Sequence, residues 1–264
     1  MRRLILVLAL AALPLALHAQ GTANDFTYDF QTRTGISADW KIVKGLHLEA
    51  EYELRTKDNL SAISRHMGTV GLSYKILPGL KAGVSYTYIY HNGTNKGWND
   101  RHRLSGSIGY TLKAGDWNIS LKETLRWTHK TESLNTYQEN PDPLTLKSRL
   151  KFEYKGWGAV DPYAFVEVRN VFNDPLVNAT WSTTSKAYAD YSFGGYGDAY
   201  INRIRGGLGL DWKLSKHSSL DFYIFEDYCY DKDLDVSKDG TTLRSLTWDR
   251  ALNTVAGVGY KFSF

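Results

Sequence analysis

Residues 46–55 read LHLEAEYELR, and their order sets the fold class. Leu46, Leu48, Ala50, Tyr52 and Leu54 share one face of an extended chain; His47, Glu49, Glu51, Glu53 and Arg55 share the other. A period of two marks a β-strand, whose side chains point alternately to opposite faces. The same alternation returns further along. Leu146, Leu150, Phe152 and Tyr154 oppose Lys147, Arg149, Lys151 and Glu153. Leu104, Ile108, Tyr110 and Leu112 oppose Arg103, Ser105, Ser107 and Thr111, and Leu208, Leu210, Trp212 and Leu214 oppose Arg205, Gly207, Gly209 and Asp211. Such runs last about ten residues or more, longer than the ~5–6 of a sandwich strand and equal to a tilted membrane-spanning strand.

The connections alternate in length. Short ones read VKG, LPG, KAGD, KGWGAVD and LSKHS; between them lie long polar stretches, including 173–198 and DKDLDVSKDGTT. Trp40, Tyr74, Tyr110, Trp117, Tyr154 and Trp212 stand beside the short set, where amphipathic rings sit at the headgroup level of a bilayer. This pattern predicts an all-β fold: an antiparallel transmembrane β-barrel of about 12 strands (10–14), with short periplasmic turns and long extracellular loops. Eleven strands are read between 36–42 and 250–264. Because bacterial single-chain barrels have even strand numbers, DFTYDFQTR (25–33) is expected to supply a twelfth, although its parity runs on through Ile36 and Trp40 with only Gly35 between. The chain ends GVGYKFSF, the expected closing strand, since an open edge does not survive in hydrocarbon.

Residues 1–19 carry Arg2 and Arg3, an apolar run and small residues near Ala19, the pattern of a secretory signal peptide. The expected organisation is therefore signal peptide 1–19 and one outer-membrane barrel, 20–264, located in the bacterial outer membrane. Loss of Arg2 and Arg3 lowers the formal net charge from +4 to +2, too near neutral for a nucleic-acid partner in an exported chain. The single cysteine, Cys229, excludes an internal disulfide and a cysteine-based metal site. No cofactor is expected.

Three stretches, DFQTRTGISADWKIVKGLHLEAEYELR, LKSRLKFEY and INRIRGGLGLDWKLSKHSSLDFY, give the chain a family likeness. It resembles an uncharacterised family of bacterial outer-membrane β-barrels, a domain of unknown function. The resemblance implies a barrel in the outer membrane and transfers no catalytic residue. The closing strand, with Tyr260, Phe262 and a final Phe264, also resembles the signal that barrel-assembly machinery reads, so the expected partners are that machinery and outer-membrane lipid.

The functional signal is the charge on the polar faces. Glu49, Glu51, Glu53, Arg55, Arg103, Lys147, Arg149, Lys151, Arg203 and Arg205 are expected to line the lumen, because a mid-depth Arg facing lipid costs about 2–4 kcal/mol. An excess of basic groups points to a porin-like channel for small hydrophilic, anionic solutes. The alternative is a non-conducting barrel whose glutamates and basic residues close the bore. Reversing Arg149 and Arg205 to Glu is expected to move selectivity toward cations with little effect on folding. No enzyme is expected: His217 and Ser219 form an H-x-S pair, but on a periplasmic turn, away from the outer leaflet where a lipid-modifying enzyme would act. Glu123 shares a face with Trp117, Ile119, Leu121, Leu125 and Trp127, so either a bulge turns it inward or it marks a protein contact.

Overall fold

The computed structural model describes residues 26–93 and 97–264; the expected signal peptide lies outside them. Eleven strands follow one another: β1 (Phe26–Val43), β2 (Leu46–Lys57), β3 (Ala62–Leu77), β4 (Leu80–Gly93), β5 (Gly97–Ala114), β6 (Trp117–Lys130), β7 (Leu144–Tyr154), β8 (Val160–Ser182), β9 (Ala187–Lys213), β10 (Ser218–Val236) and β11 (Leu243–Ser263). Each pairs with its sequence neighbours, and β1 pairs with β11, so the sheet is a closed barrel without an edge.

The closure departs from the expected even count. The 25–33 stretch and the 36–42 stretch are one strand, β1, and Gly35 sits inside its ladder opposite Glu53 and Gly259. Gly35 interrupts nothing because the outward parity of Phe26, Tyr28, Ile36 and Trp40 is continuous. With eleven strands, first and last run in the same direction, and β1 pairs with β11 in parallel from Phe26↔Arg250 to Asp39↔Ser263.

The short turns are built for reversal. Gly45 (φ 88°) and Gly79 (φ 84°) take up left-handed backbone in two-residue connections, a conformation that costs glycine little. At the other end the strands outrun the expected loops. The 173–198 stretch is mostly hairpin, continuing β8 into β9 through several register shifts. In DKDLDVSKDGTT, β10 continues to Val236 before the turn. There Leu234, Val236 and Leu243 make a small apolar core with Tyr137, Val177 and Tyr188. This side-chain packing outside the belt is what lets the ladder persist beyond it.

The barrel is apolar outside and polar inside. Ile36, Val70, Val84, Leu104, Ile108, Leu121 and Val166 are exposed on the outer face, Val84 at 64%. A contiguous apolar surface of this kind calls for lipid rather than water. Aromatic rings flank it at both ends: Trp40 stacks on Phe264 and Trp117 packs on Tyr154 beside the short turns, while Tyr90 stacks on Trp98 toward the long connections.

Candidate functional site in the barrel lumen

Because the ladders of β6 to β11 keep one register at mid-height, a single row of facing residues crosses all six strands. It runs Lys122, Arg149, Glu167, Arg205, Asp227, Asn253. Two buried carboxylates of this row hold Arg149, Arg205 and two basic groups beside them, Lys147 and Arg203. Glu167 accepts from Arg149 Nε at 2.7 Å and from Arg205 Nη1 at 2.8 Å, and Lys147 Nζ lies 3.3 Å away. Asp227 accepts from Arg205 Nη2 at 2.9 Å and Arg203 Nη1 at 3.1 Å. Charge-assisted contacts of this geometry fix the guanidinium planes against the wall.

Nearer the short turns most of the charges are paired. Glu153 binds Lys151 at 2.7 Å and Lys155 at 2.8 Å, and buried Asp161 binds Lys155 and Lys213. Glu49 binds Lys81 at 2.7 Å and accepts from Ser73, and Glu53 pairs with Arg55.

An aromatic shelf occupies the wall of β8 to β11. Tyr163, Phe165, Tyr223 and Phe225 pack together inward with Val255. Glycines make the space: a Cβ on Gly209 would come within 2.3 Å of the Tyr163 ring, and one on Gly257 within 2.1 Å of Tyr223. Basic groups from neighbouring strands cover the shelf. Arg149 lies 4.4 Å from the Phe165 centroid, Lys151 4.0 Å from Tyr163, and Arg33 4.8 Å from Phe225. Such cation–π contacts draw cations over the rings and narrow the bore on this side.

Between the shelf and the β2–β7 wall lies a polar cavity of about 520 Å³. Its lining has eleven basic and four acidic side chains. Glu49, Glu51, Glu53, Arg55, Arg103, Lys147, Arg149, Arg203 and Arg205 all border it. Lys151 stands lower, beside a smaller cavity shared with Glu51, Glu53 and Asp221.

Glu167, Asp227 and Asp161 are not legible as site residues in the sequence alone. Glu167 follows Phe165 on one face of AFVEVRN, and the aromatic residue on that face masks the polar parity of β8. Their partners correct one expectation. Arg149 and Arg205 share the buried Glu167, so replacing both with Glu sets three carboxylates together and disturbs folding as well as charge.

The remaining candidates occupy other positions. Phe264 donates its backbone N–H to Asp39 O at 2.9 Å and stacks on Trp40 at 4.3 Å, and Phe262 packs edge-on against it. Tyr260 pairs with Ile36 and Leu220 one step further in. His217 donates through Nδ1 to the Ser263 carbonyl at 2.8 Å and so ties the β9–β10 turn to the end of the chain. His102 faces outward against Tyr86, Arg101 bonds Glu132, and Arg103 Nε donates to Thr128. These three neighbours in sequence serve three different places. Glu123 remains on the outer face, because β5, β6 and β7 pair without a register shift, and it accepts from Ser148 Oγ at 2.5 Å.

A family model spans residues 30–237, most of the chain. The chain belongs to the family described as protein of unknown function DUF2490. The family likeness read from the three sequence stretches is thereby shown. The comparison with curated proteins gives no match. Among solved structures, the chain is similar to "Outer-membrane expressed OmpT of Vibrio cholerae" at 10% identity and a TM-score of 0.36, covering 81% of this chain and 63% of that one. It is also similar to "Copper transporter OprC" at 11% identity and a TM-score of 0.30, covering 90% of this chain and 43% of that one. The chain spans less than two-thirds of the length of either.

Proposed function

We propose that this barrel is an outer-membrane, porin-like conduit for small hydrophilic solutes, with a preference for anions. The observation that carries the reading is the lining of the central cavity, where basic side chains outnumber acidic ones by eleven to four. A ring of cationic groups lowers the barrier for negative charge entering a low-dielectric bore. In this reading the protein is exported by its leader, the assembly machinery recognises Tyr260, Phe262 and Phe264, and the short turns face the periplasm. The test is conductance in a planar bilayer under a salt gradient. Stable steps with a reversal potential of anion sign are expected. Cation selectivity would overturn the charge assignment and move the constriction to Glu49, Glu51 and Glu53.

One observation favours a second reading. Glu167 and Asp227 tie four basic side chains to the wall, and the aromatic shelf beneath them fills part of the bore. A non-conducting barrel with a salt-bridged lumen, presenting its long-loop end as a binding surface, would give no steps in the same experiment.

A further inference from the structure

The cations of the lumen fall into two groups. Lys147, Arg149 and Arg205 bond Glu167 or Asp227 directly. In a second group most members have no carboxylate within salt-bridge distance. Arg33, Arg55, Arg65, Arg103, Arg126, Arg169 and Arg203 come from seven different strands and stand nine to twelve residues from the short-turn ends of those strands. They form a ring at nearly one height, and all seven line the central cavity. The ring closes across the bore: Arg65 on β3 lies in electrostatic range of Arg203 on β9, Arg103 on β5 of Arg169 on β8, and Arg126 on β6 of Arg55 on β2.

Two members are neutralised locally, Arg55 by Glu53 and Arg203 by Asp227. Among the described residues no carboxylate lies within 4.0 Å of Arg33, Arg65, Arg103, Arg126 or Arg169. Uncharged groups orient some of them. Arg103 Nε donates to Thr128 Oγ1 at 3.0 Å and Arg169 Nε to Asn202 Oδ1 at 2.7 Å. These contacts position a guanidinium without cancelling its charge. Arg33 is more than nine-tenths buried, and the Nε atoms of both Arg33 and Arg126 are buried with no hydrogen-bond partner. Carboxylates act on three of them only through space, Glu53 on Arg33, Glu167 on Arg126, and Asp227 and Asp231 on Arg169. Converging guanidinium groups without a bonded counter-charge repel one another, and buried donors without acceptors are costly. An anion in the cavity relieves both.

We propose that this arginine ring is a binding site for a multivalent oxyanion, a small solute with two or more phosphate or carboxylate groups that bridges Arg65, Arg103 and Arg126 on one wall to Arg33 and Arg169 on the facing wall. The planar guanidinium fork matches carboxylate and phosphate oxygens in pairs, which a halide cannot reproduce. A single monovalent group reaches one or two members; a ring this wide needs several charges on one solute. The site deepens the reading of the lumen as an anion path, but it does not require the bore to conduct.

The test uses the full mature barrel in detergent, folded as judged by heat-modifiable gel mobility. Inorganic pyrophosphate and citrate are titrated separately against chloride at matched ionic strength, with thermal unfolding as the binding readout and bilayer current as the second. Pyrophosphate or citrate is expected to raise the unfolding temperature where chloride does not. Pyrophosphate alone would assign the phosphate class, citrate alone the carboxylate class, and both the shared chemistry. The Arg103→Gln/Arg126→Gln pair is expected to weaken binding by about tenfold or more, and Lys238→Gln, which removes one positive charge on an exposed loop, to leave it unchanged. If the Gln pair fails to fold, Arg103→Lys/Arg126→Lys keeps the charge, removes the fork and is expected to weaken binding measurably against the wild-type barrel. No effect of either anion beyond chloride, or full affinity in the paired variants, overturns the site. A barrel that conducts anions without binding them leaves the conduit standing and the site refuted; one that binds without conducting does the reverse.

Discussion

Glu167→Gln is the sharpest test of how the lumen is held together. The carboxylate is 2% exposed and is shared by Arg149, Arg205 and Lys147. Removing its charge does not affect the three equally. Arg205 keeps Asp227 at 2.9 Å, and Arg149 keeps the Phe165 ring at 4.4 Å. Lys147 loses the one carboxylate within salt-bridge range among the described residues. Breaking a buried pair by removing one partner costs about 3–5 kcal/mol, and the retained contacts place this case near the lower end, about 3 kcal/mol. The assay is urea unfolding of the barrel in detergent, followed by tryptophan fluorescence, with the slope against urea held constant between variants. Asp235→Asn serves as the reference, because its pair with Arg244 is solvent-exposed on both sides and exposed pairs contribute about 0–1 kcal/mol. Combining Glu167→Gln with Arg149→Gln should cost less than the sum of the two, since each removes the same bond. A loss of under about 1 kcal/mol for Glu167→Gln, indistinguishable from Asp235→Asn, would refute the idea that this carboxylate ties the cations to the wall.

Other expected outcomes follow from the walls and ends of the barrel. Gly257→Val should abolish or sharply reduce the heat-modifiable form, because its Cβ would meet the Tyr223 ring at 2.1 Å, whereas Gly106→Ala, with nothing within 4 Å, should behave as wild type. Glu123→Leu should stabilise the barrel in lipid by about 1 kcal/mol, since it removes a carboxyl from the lipid-facing wall for the loss of one Ser148 contact; a destabilised variant would point to a protein partner there. Phe264→Ala should lower the assembled fraction in cell envelopes through loss of the Trp40 stack and of the terminal aromatic, and unchanged levels would count against that role. At the long-loop end, burial raises the Glu132 carboxyl, but the Arg101 contact outweighs it and leaves the group below its ordinary value. Its stabilisation is therefore present above the ordinary carboxylate range and is lost as pH falls through the lowered value, so proteolysis within 131–143 should increase below about pH 4.

What the sequence determined by itself is the part of the fold that depends on neighbours along the chain. The alternation in LHLEAEYELR follows from the pleat of an extended backbone, so parity alone separates Leu48 and Tyr52 from Glu49 and Glu53 without knowledge of any partner strand. Glycine at 45 and 79 marks reversals for the same local reason. Parity sets Glu123 beside lipid-facing residues but leaves an inward-turning bulge open, and it is the unshifted pairing of β5, β6 and β7 that keeps it on the outer face. Tertiary structure decided the rest. Whether β1 is one strand or two depended on whether Gly35 could stay in register with β2 and β11, a question of pairing with residues far along the chain. Arg205 finds Glu167 and Asp227 only because β8, β9 and β10 align in one register, and Arg65 faces Arg203 only because the sheet closes. Side-chain direction is a property of one strand, whereas the height of a charge in the bore and the charge it faces are set by inter-strand register and barrel closure, which no single stretch of sequence contains.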